Sequence, residues 1–224
     1  MRALVISNHY DADSGLVGER FRHHGFQFTE CHRERSSEWP DVATCDLVLS
    51  LGSDWSVYWP HVATEVAAEA DLLRRAHGLD VPIFGICYGN QIMAHALGGT
   101  VERAGEAEIG WYQIVSDLPE AIAVGPWFQW HSDVVTLPAA ATELARSAVG
   151  PQAWRLGKSF CTQFHPEVTE SIVGRWIDTG GAAEAESHGH ELQELLALTR
   201  MNVVLSRPHT DRLVDWYVEN VVKS

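Results

Sequence analysis

Short apolar runs alternate with amphipathic stretches through the first hundred residues of the chain. The apolar runs have the length of buried strands and lie at residues 2–7, 26–31, 47–51 and 83–86. Patterns with helical spacing follow three of these runs, at residues 14–24, 60–78 and 88–97, and a glycine ends each pattern. Strands that alternate with helices predict an open, mostly parallel sheet flanked by helices, which is a fold of the α/β class.

The pattern changes between residue 100 and the end of the chain. Shorter runs typical of strands lie at residues 111–115, 134–137 and 160–164, and a helical pattern covers residues 168–177. Small and charged residues at 179–189 predict a flexible loop, and two further helical patterns lie at 191–204 and 211–221. Neither a repeat nor a low-complexity tract divides the sequence, so residues 1–224 are interpreted as a single domain.

A cysteine lies where the fourth apolar run meets the next helix, in the sequence Gly85-Ile86-Cys87-Tyr88-Gly89. The two glycines allow a sharp turn and a close approach of other groups, as in the G-x-S-x-G nucleophile elbow. The unpaired N–H groups and the dipole of the helix favour a thiolate over a thiol at this position. Reactive groups collect at the carboxyl ends of parallel strands, where Cys87 lies, so we predict that Cys87 is a nucleophile.

A candidate base and a carboxylate that could orient it lie together in the sequence Gln163-Phe164-His165-Pro166-Glu167. Residues two apart at the end of a strand point to the same side, which predicts that His165 and Glu167 share a face. A cysteine, a base and an orienting carboxylate are the groups that acyl transfer through a thioester requires. We therefore predict a catalytic triad of Cys87, His165 and Glu167.

These two motifs and their spacing resemble the class I glutamine amidotransferases, Cys-His-Glu enzymes that hydrolyse the side-chain amide of glutamine. Three further segments are similar to that family: LSLGS at 49–53, EIGW at 108–111 and WHSD at 130–133. The last of them resembles GMP synthetase-like and stand-alone members, and the matches run from about residue 45 to about residue 170. The resemblance implies a flavodoxin-like α/β fold with a nucleophile elbow.

The resemblance also implies roles for residues around the triad. The backbone N–H groups of Gly52 and Tyr88 would bind the oxyanion of the tetrahedral intermediate. Leu51 and Ser53 stand where the family usually has glycine and proline, which is a departure from its pattern. Gln91, one helical turn after the nucleophile, would contact the substrate. The remaining substrate-binding candidates are Gly110, Trp111, His131 and Ser132, and an ordinary hairpin explains Trp111 nearly as well.

Composition narrows the classes of function. Lys and Arg number 16 against 30 Asp and Glu, and the net charge of −14 argues against nucleic acid, because phosphate contacts need clustered cations. The N-terminal sequence lacks the apolar region of a signal peptide, and no apolar run approaches the ~20 residues that span a bilayer. We therefore expect a cytoplasmic protein with reduced thiols and no membrane partner. The four cysteines form no C-x-x-C pair, so we expect neither a metal nor another cofactor.

The resemblance leaves three functions open. We expect a glutaminase that releases glutamate and ammonia, with the ammonia passing to a separate synthase subunit. The alternative is a stand-alone γ-glutamyl peptide or amide hydrolase, whose small-molecule substrate is a γ-glutamyl compound larger than glutamine. The third hypothesis is a non-catalytic regulatory or scaffold module, which the intact triad disfavours.

Overall fold

The computed structural model describes residues 1–224, and its first half follows the predicted alternation of strands and helices. The strands are β1 (Arg2–Ser7), β2 (Gln27–His32), β3 (Leu47–Ser50), β4 (Ile83–Ile86), β5 (Thr100–Tyr112), β6 (Val115–Ser116), β7 (Trp127–Thr136), β8 (Thr142–Arg146), β9 (Pro151–Leu156) and β10 (Ser159–Thr162). The α-helices are α1 (Gly15–His23), α2 (Ala63–Gly78), α3 (Tyr88–Ala96), α4 (Glu170–Trp176), α5 (Ala182–Ser187) and α6 (Leu192–Tyr217). None of the helices combines the length and the apolarity needed to cross a bilayer.

Eight of the ten strands form one sheet, in the order β2-β1-β3-β4-β10-β9-β8-β6. The five strands from β2 to β10 pair in parallel, and the three strands beyond β10 pair antiparallel. β5 and β7 form a separate antiparallel ribbon, with a register shift between Arg103 and Glu108. The predicted α/β class, with an open and mostly parallel sheet flanked by helices, is therefore confirmed.

Helices cover both faces of the central parallel strands, because those strands are buried on both faces. On one face, Phe21 of α1 and Tyr217 of α6 pack on Phe84 of β4, with ring centroids 5.7 and 5.1 Å from that of Phe84. On the other face, Leu73 of α2 and Ile92 of α3 belong to a second buried cluster. The parallel strands end at a common edge between these two cores, and the chemistry predicted from sequence lies at that edge.

The segment predicted as a flexible loop, residues 179–189, is helical as far as Ser187. A wide helical turn at Ile177–Gly181 continues α4 and leads into α5. Gly180 adopts a φ of +129°, which bends the chain between the two helices without a side-chain clash. Ala185 is fully buried, and Gly181 lies directly against the ring of Trp130. Packing against β7 therefore decides a conformation that the local composition does not indicate.

The two helices predicted at 191–204 and 211–221 are one continuous helix, α6, which passes through Pro208. A proline removes one N–H and crowds the preceding turn, which is why the sequence predicted a break. The buried face of α6 nevertheless continues in register from Leu195 to Leu213. Thr210 Oγ1 also donates to the Pro166 carbonyl at 2.7 Å, just after the proline. Packing along this long face outweighs the local penalty.

The two ribbon strands are longer than the runs predicted at residues 111–115 and 134–137. The first half of β5 is mostly exposed, so it has no apolar face from which periodicity could predict a strand. Pairing with β7 supplies the hydrogen bonds that keep this segment extended. The ribbon places Glu108 and His131 opposite each other.

Candidate active site

Cys87 occupies the turn between β4 and α3, one position before the first helical residue. Its φ of +53° lies in the left-handed region, which a residue with a side chain rarely adopts. The Cys87 N–H donates to the Thr162 carbonyl at 2.8 Å, and the Gln91 N–H donates to the Cys87 carbonyl at 3.0 Å. These bonds hold the strained residue in place, and the turn has the geometry of the predicted nucleophile elbow.

Gly89 allows α3 to approach β3 closely enough to form this elbow. A Cβ at Gly89 would lie 2.1 Å from the Ser50 carbonyl oxygen, a backbone atom that has no room to move. We expect Gly89→Ala to destabilise the folded state by about 3 kcal/mol or more, measured by chemical denaturation. Gly78→Ala is the matched control, because a Cβ at Gly78 meets nothing within 4 Å. An unchanged denaturation midpoint for Gly89→Ala would contradict the close packing of α3 on β3.

His165 and Glu167 come together in the segment that follows β10. His165 Nδ1 lies 2.7 Å from Glu167 Oε1, and the His165 backbone N–H donates to the Phe128 carbonyl of β7 at 2.8 Å. Trp176 contacts the imidazole edge-on, with 4.9 Å between ring centroids. Because a carboxylate only accepts, Nδ1 carries the proton in this pair. The other ring nitrogen, Nε2, is buried and bonded to no other group.

The surroundings of His165 favour its protonated form. Burial opposes the positive charge and by itself would lower the pKa of His165. The charges of Glu167 and Cys87, together with the hydrogen bond to Glu167, outweigh burial and raise this pKa well above its ordinary value of 6.5. The site is therefore arranged to hold an imidazolium next to the sulfur of Cys87.

Gly52, which follows β3, borders both the cysteine and the histidine. A Cβ at this position would lie 3.2 Å from His165 Cε1 and 3.7 Å from Cys87 Cβ. The Gly52 N–H makes no hydrogen bond within the protein. The Tyr88 N–H belongs to the first turn of α3, where backbone donors have no partner in their own helix. Two backbone donors thus lie next to Cys87, as the predicted oxyanion site requires.

A cavity of about 390 Å³ is lined by Cys87 and His165. Aromatic side chains form much of its wall, and they are Tyr10, Trp55, Trp59, Trp130 and Trp176. Apart from the histidines, its charged side chains are Asp11, Asp54, Asp133, Glu184 and Arg103. The cavity is therefore aromatic and predominantly acidic. Nowhere in the structure are three His, Cys, Asp or Glu side chains grouped so that they could hold a metal ion.

The structure brings Gln91, His131 and Ser132 to the cavity but places Gly110 and Trp111 outside it. Trp111 turns toward α6, where its Nε1 donates to a threonine hydroxyl at 3.1 Å. A Cβ at Gly110 would also approach a leucine of α6, at 3.8 Å. Arg103 lies on the other side of the register shift in β5 and lines the cavity. The part of β5 around Trp111 packs on α6 instead.

His131 supports the cavity wall and offers no free ring nitrogen. Its Nε2 lies 3.1 Å from Glu108 Oε2, and its Nδ1 lies 3.0 Å from the Asp133 carbonyl oxygen. Glu108 Oε2 also accepts from Gln152 Nε2 at 2.8 Å. These bonds connect β5, β7 and β9 beside the cavity. Any contact between His131 and a substrate is therefore left to its backbone groups.

Glu184 is a cavity residue that sequence reasoning missed. Its carboxylate accepts from Trp130 Nε1 and from Ser132 Oγ, both at 3.0 Å. Glu184 thereby connects α5 to β7 and fixes two residues of the cavity wall. It lies among small and charged residues, which gave no local signal of a fixed structure. The neighbouring Ala185, buried against the core, is too small to have indicated one.

The fold and this arrangement of groups define an α/β protein with a Cys-His-Glu site at the carboxyl edge of a parallel sheet. The family description "Glutamine amidotransferase class-I" matches residues 59–177, just over half of the chain. The matched part contains Cys87, His165 and Glu167. The chain therefore belongs to the class I glutamine amidotransferase family, which confirms the resemblance found in the sequence.

Relatives include GMP synthases named as glutamine-hydrolysing. That of Thermus thermophilus is 34% identical over 139 residues, which cover 54% of this chain and 26% of the relative. That of Bacillus pumilus is 34% identical over 172 residues, which cover 71% of this chain and 31% of the relative. The chain thus spans about a quarter to a third of the length of these relatives.

Solved structures match over nearly the whole chain. A glutamine amidotransferase from Thermotoga maritima has a TM-score of 0.84 at 26% identity, and the match covers 100% of this chain and 99% of that one. A glutamine amidotransferase from Methylobacillus flagellatus has a TM-score of 0.81 at 22% identity, covering 98% of this chain and 94% of that one. The second likeness concerns the fold alone.

Proposed function

We propose that the chain hydrolyses the γ-carboxamide of glutamine to glutamate and ammonia, through a γ-glutamyl thioester on Cys87. The observation that carries this proposal is a thiol on a strand-to-helix elbow beside a buried histidine whose Nδ1 is bonded to Glu167. Membership in the class I glutamine amidotransferase family supports the same reaction. His165 is assigned the role of general acid and base, and Glu167 is assigned the role of the carboxylate that orients it.

In the acylation step, Cys87 attacks the γ-carbonyl carbon as a thiolate, after its proton has passed to Nε2 of His165. Glu167 stabilises the imidazolium that results. Negative charge develops on the carbonyl oxygen, where the N–H groups of Gly52 and Tyr88 are assigned as donors. His165 then gives its proton to the departing nitrogen, the carbon–nitrogen bond breaks, and ammonia leaves.

In the deacylation step, water replaces ammonia as the partner of His165. Nε2 of His165 takes a proton from the water while the oxygen attacks the thioester carbon. The same two backbone donors stabilise the second oxyanion. The carbon–sulfur bond breaks, the proton on Nε2 returns to the sulfur of Cys87, and glutamate leaves.

Groups in the cavity suit the binding of glutamine and of its α-ammonium group. Gln91 is buried one helical turn after Cys87 and lines the cavity, which supports its assignment to substrate binding. Asp133 accepts from the hydroxyl groups of Ser56 and Tyr58, at 2.6 and 2.8 Å, and forms no ion pair. A carboxylate without an ion pair in the cavity wall favours the α-ammonium group of the substrate.

We further propose that a synthase is the partner that consumes the ammonia, and that both proteins act in the cytoplasm. The match covers only 26% of the Thermus GMP synthase, so most of that protein has no counterpart in these 224 residues. A synthase activity that works with this chain would therefore be contributed from outside these residues. The acidic net charge supports the view that no nucleic acid takes part.

Hydrolysis of a larger γ-glutamyl amide or peptide is the second candidate function. The observation that favours it is the aromatic wall, where Trp55 and Trp59 line the cavity together with the catalytic groups. Flat aromatic surfaces would pack against a substituent on the γ-nitrogen that glutamine lacks. The cavity of about 390 Å³ lies within the roughly 300–1,000 Å³ of pockets that bind drug-sized ligands.

Release of ammonia and glutamate from glutamine by the purified chain tests the proposal, with a γ-glutamyl dipeptide and a γ-glutamyl alkylamide assayed in parallel. A higher kcat/KM for glutamine supports the glutaminase, and a higher value for either larger compound supports the second candidate.

Labelling with a glutamine-derived chloroketone, followed by mass spectrometry, tests whether the Cys87 thiol is reactive in the absence of a partner. Folded protein that shows neither turnover nor labelling of Cys87 would instead be a non-catalytic module.

A further inference from the structure

A buried arginine contacts both backbone segments that are assigned to the oxyanion. Arg33 follows β2, is 1% exposed and lies outside residues 59–177 that the family description matches. Its guanidinium donates to the carbonyl oxygens of Leu51 at 2.8 Å and Gly52 at 3.2 Å. Its Cζ also lies 4.6 Å from the ring centroid of Tyr88, as a cation–π contact. Arg33 thus contacts both the loop that carries the Gly52 N–H and the residue that carries the second donor, Tyr88.

Glu69 of α2 holds this guanidinium in a defined orientation. Its Oε2 lies 2.8 Å from Nε of Arg33, and neither side chain is exposed. Ser50, the last residue of β3, donates to Glu69 Oε1 at 2.7 Å, and Asn8 Oδ1 accepts from Arg33 at 3.0 Å. A buried charge pair whose remaining polar atoms are also bonded has little freedom to reorient.

The hydrogen bonds from Arg33 to the Leu51 and Gly52 carbonyls determine the direction of the Gly52 N–H, which lies between them in the chain. In a trans peptide the C=O and the following N–H point in opposite directions. The Leu51 carbonyl is directed at Arg33, so the Gly52 N–H is directed away from it. Gly52 borders Cys87 and His165, and its own lack of a side chain leaves its backbone conformation loosely restrained. The restraint that the loop needs is therefore supplied by Arg33.

We propose that Arg33, held by Glu69, is a positioning residue that aims the Gly52 N–H at the oxyanion. This inference rests on the proposed amide hydrolysis and adds a residue to its machinery. The oxyanion exists in the transition state and not in the bound substrate, so a misdirected donor lowers kcat while leaving KM nearly unchanged. A residue that merely stabilised the fold would leave kcat unchanged once the rate is normalised to the concentration of folded protein.

Arg33→Lys is the test variant, because lysine keeps the positive charge beside Glu69 but lacks the planar fork that reaches two carbonyls. We expect kcat for the preferred γ-glutamyl substrate to fall by about 10–100-fold, with KM changed by less than about threefold. Alkylation of Cys87 by iodoacetamide forms no oxyanion, so its rate and pH dependence should remain those of the wild type. Arg75→Lys is the matched control, since Arg75 forms an exposed ion pair with Asp41.

A folded Arg33→Lys protein with kcat within about twofold of the wild type would overturn the inference. An equal loss of kcat and alkylation rate would also overturn it, because it would indicate general disruption of the site. If Arg33→Lys does not fold, Glu69→Gln replaces it, and the same separation of kcat from alkylation is expected.

A wild-type chain that neither hydrolyses a γ-glutamyl compound nor is labelled at Cys87 by the chloroketone would end the proposed function, and the oxyanion role of Arg33 with it. The restraint itself remains measurable in that case by hydrogen exchange of the peptide that contains Gly52. Faster exchange of that peptide in Arg33→Lys than in Arg75→Lys would show that Arg33 orders the loop. Equal exchange in the two variants would overturn the restraint as well.

Discussion

Cys87→Ala is expected to lower kcat/KM for glutamine by on the order of 10⁴-fold or more, because no thioester can form without the sulfur. Alanine fits the space of cysteine and is no more strained at the φ of +53° that this position requires. The variant should therefore fold and keep the cavity. Ammonia and glutamate release, measured with the wild type and the variant at equal concentrations of folded protein, gives the ratio.

Cys45→Ala is the matched control for this substitution. Cys45 is half-buried in the turn before β3, is a free thiol like Cys87, and does not line the cavity. Its replacement should leave kcat and KM at wild-type values. If Cys87→Ala retained a tenth of the wild-type activity or more, the assignment of Cys87 as nucleophile would be wrong.

Glu167→Gln is expected to lower kcat by about 10²–10⁴-fold. The carboxylate accepts from Nδ1 of His165 at 2.7 Å and so keeps Nε2 available to the sulfur. The side-chain amide introduced by Glu167→Gln can donate to Nδ1, which moves the histidine proton to Nε2. Because this amide is neutral, it also leaves the imidazolium without a counter-charge. Glu170→Gln is the matched control, because Glu170 is an exposed carboxylate that accepts from Arg200 of α6.

The pH profile of Glu167→Gln should change in a defined direction. In the wild type, burial lowers the pKa of His165, but the charges of Glu167 and Cys87 outweigh burial and raise it. Removing one of these charges lowers the pKa, so the imidazolium is lost at a lower pH. The alkaline limb of kcat/KM should therefore move to lower pH, as a property of the coupled Cys87–His165 pair. An unmoved alkaline limb would contradict the electrostatic role assigned to Glu167.

The parts of the site that the sequence predicted are those built from neighbouring residues. The strand, the cysteine and the helix of the elbow lie within one continuous segment, so the turn geometry follows from a few glycines. His165 and Glu167 meet because they are two residues apart, although β10 has already ended at Thr162. Local geometry of this kind needs no knowledge of how distant segments pack.

The parts that the sequence did not predict depend on contacts between distant segments. Arg33 and Glu69 are 36 residues apart, and no local pattern indicates that a charged residue after β2 becomes fully buried. The cavity wall around Glu184 is ordered by its bonds to β7, and α6 continues through Pro208 because its buried face is packed. In each case tertiary packing overrides what the local composition favours.

The contact of α1 with α6 has a consequence for how the chain acquires its structure during synthesis. Arg20 of α1 bonds to Asp215 of α6 at 2.6 Å, across 195 residues of sequence. The face of the sheet around Phe84 therefore has only the cover of α1 until the ribosome has released α6. Contacts of such long sequence separation slow folding, and an uncovered apolar sheet invites aggregation. The nascent chain therefore exposes apolar surface until α6 can pack against α1.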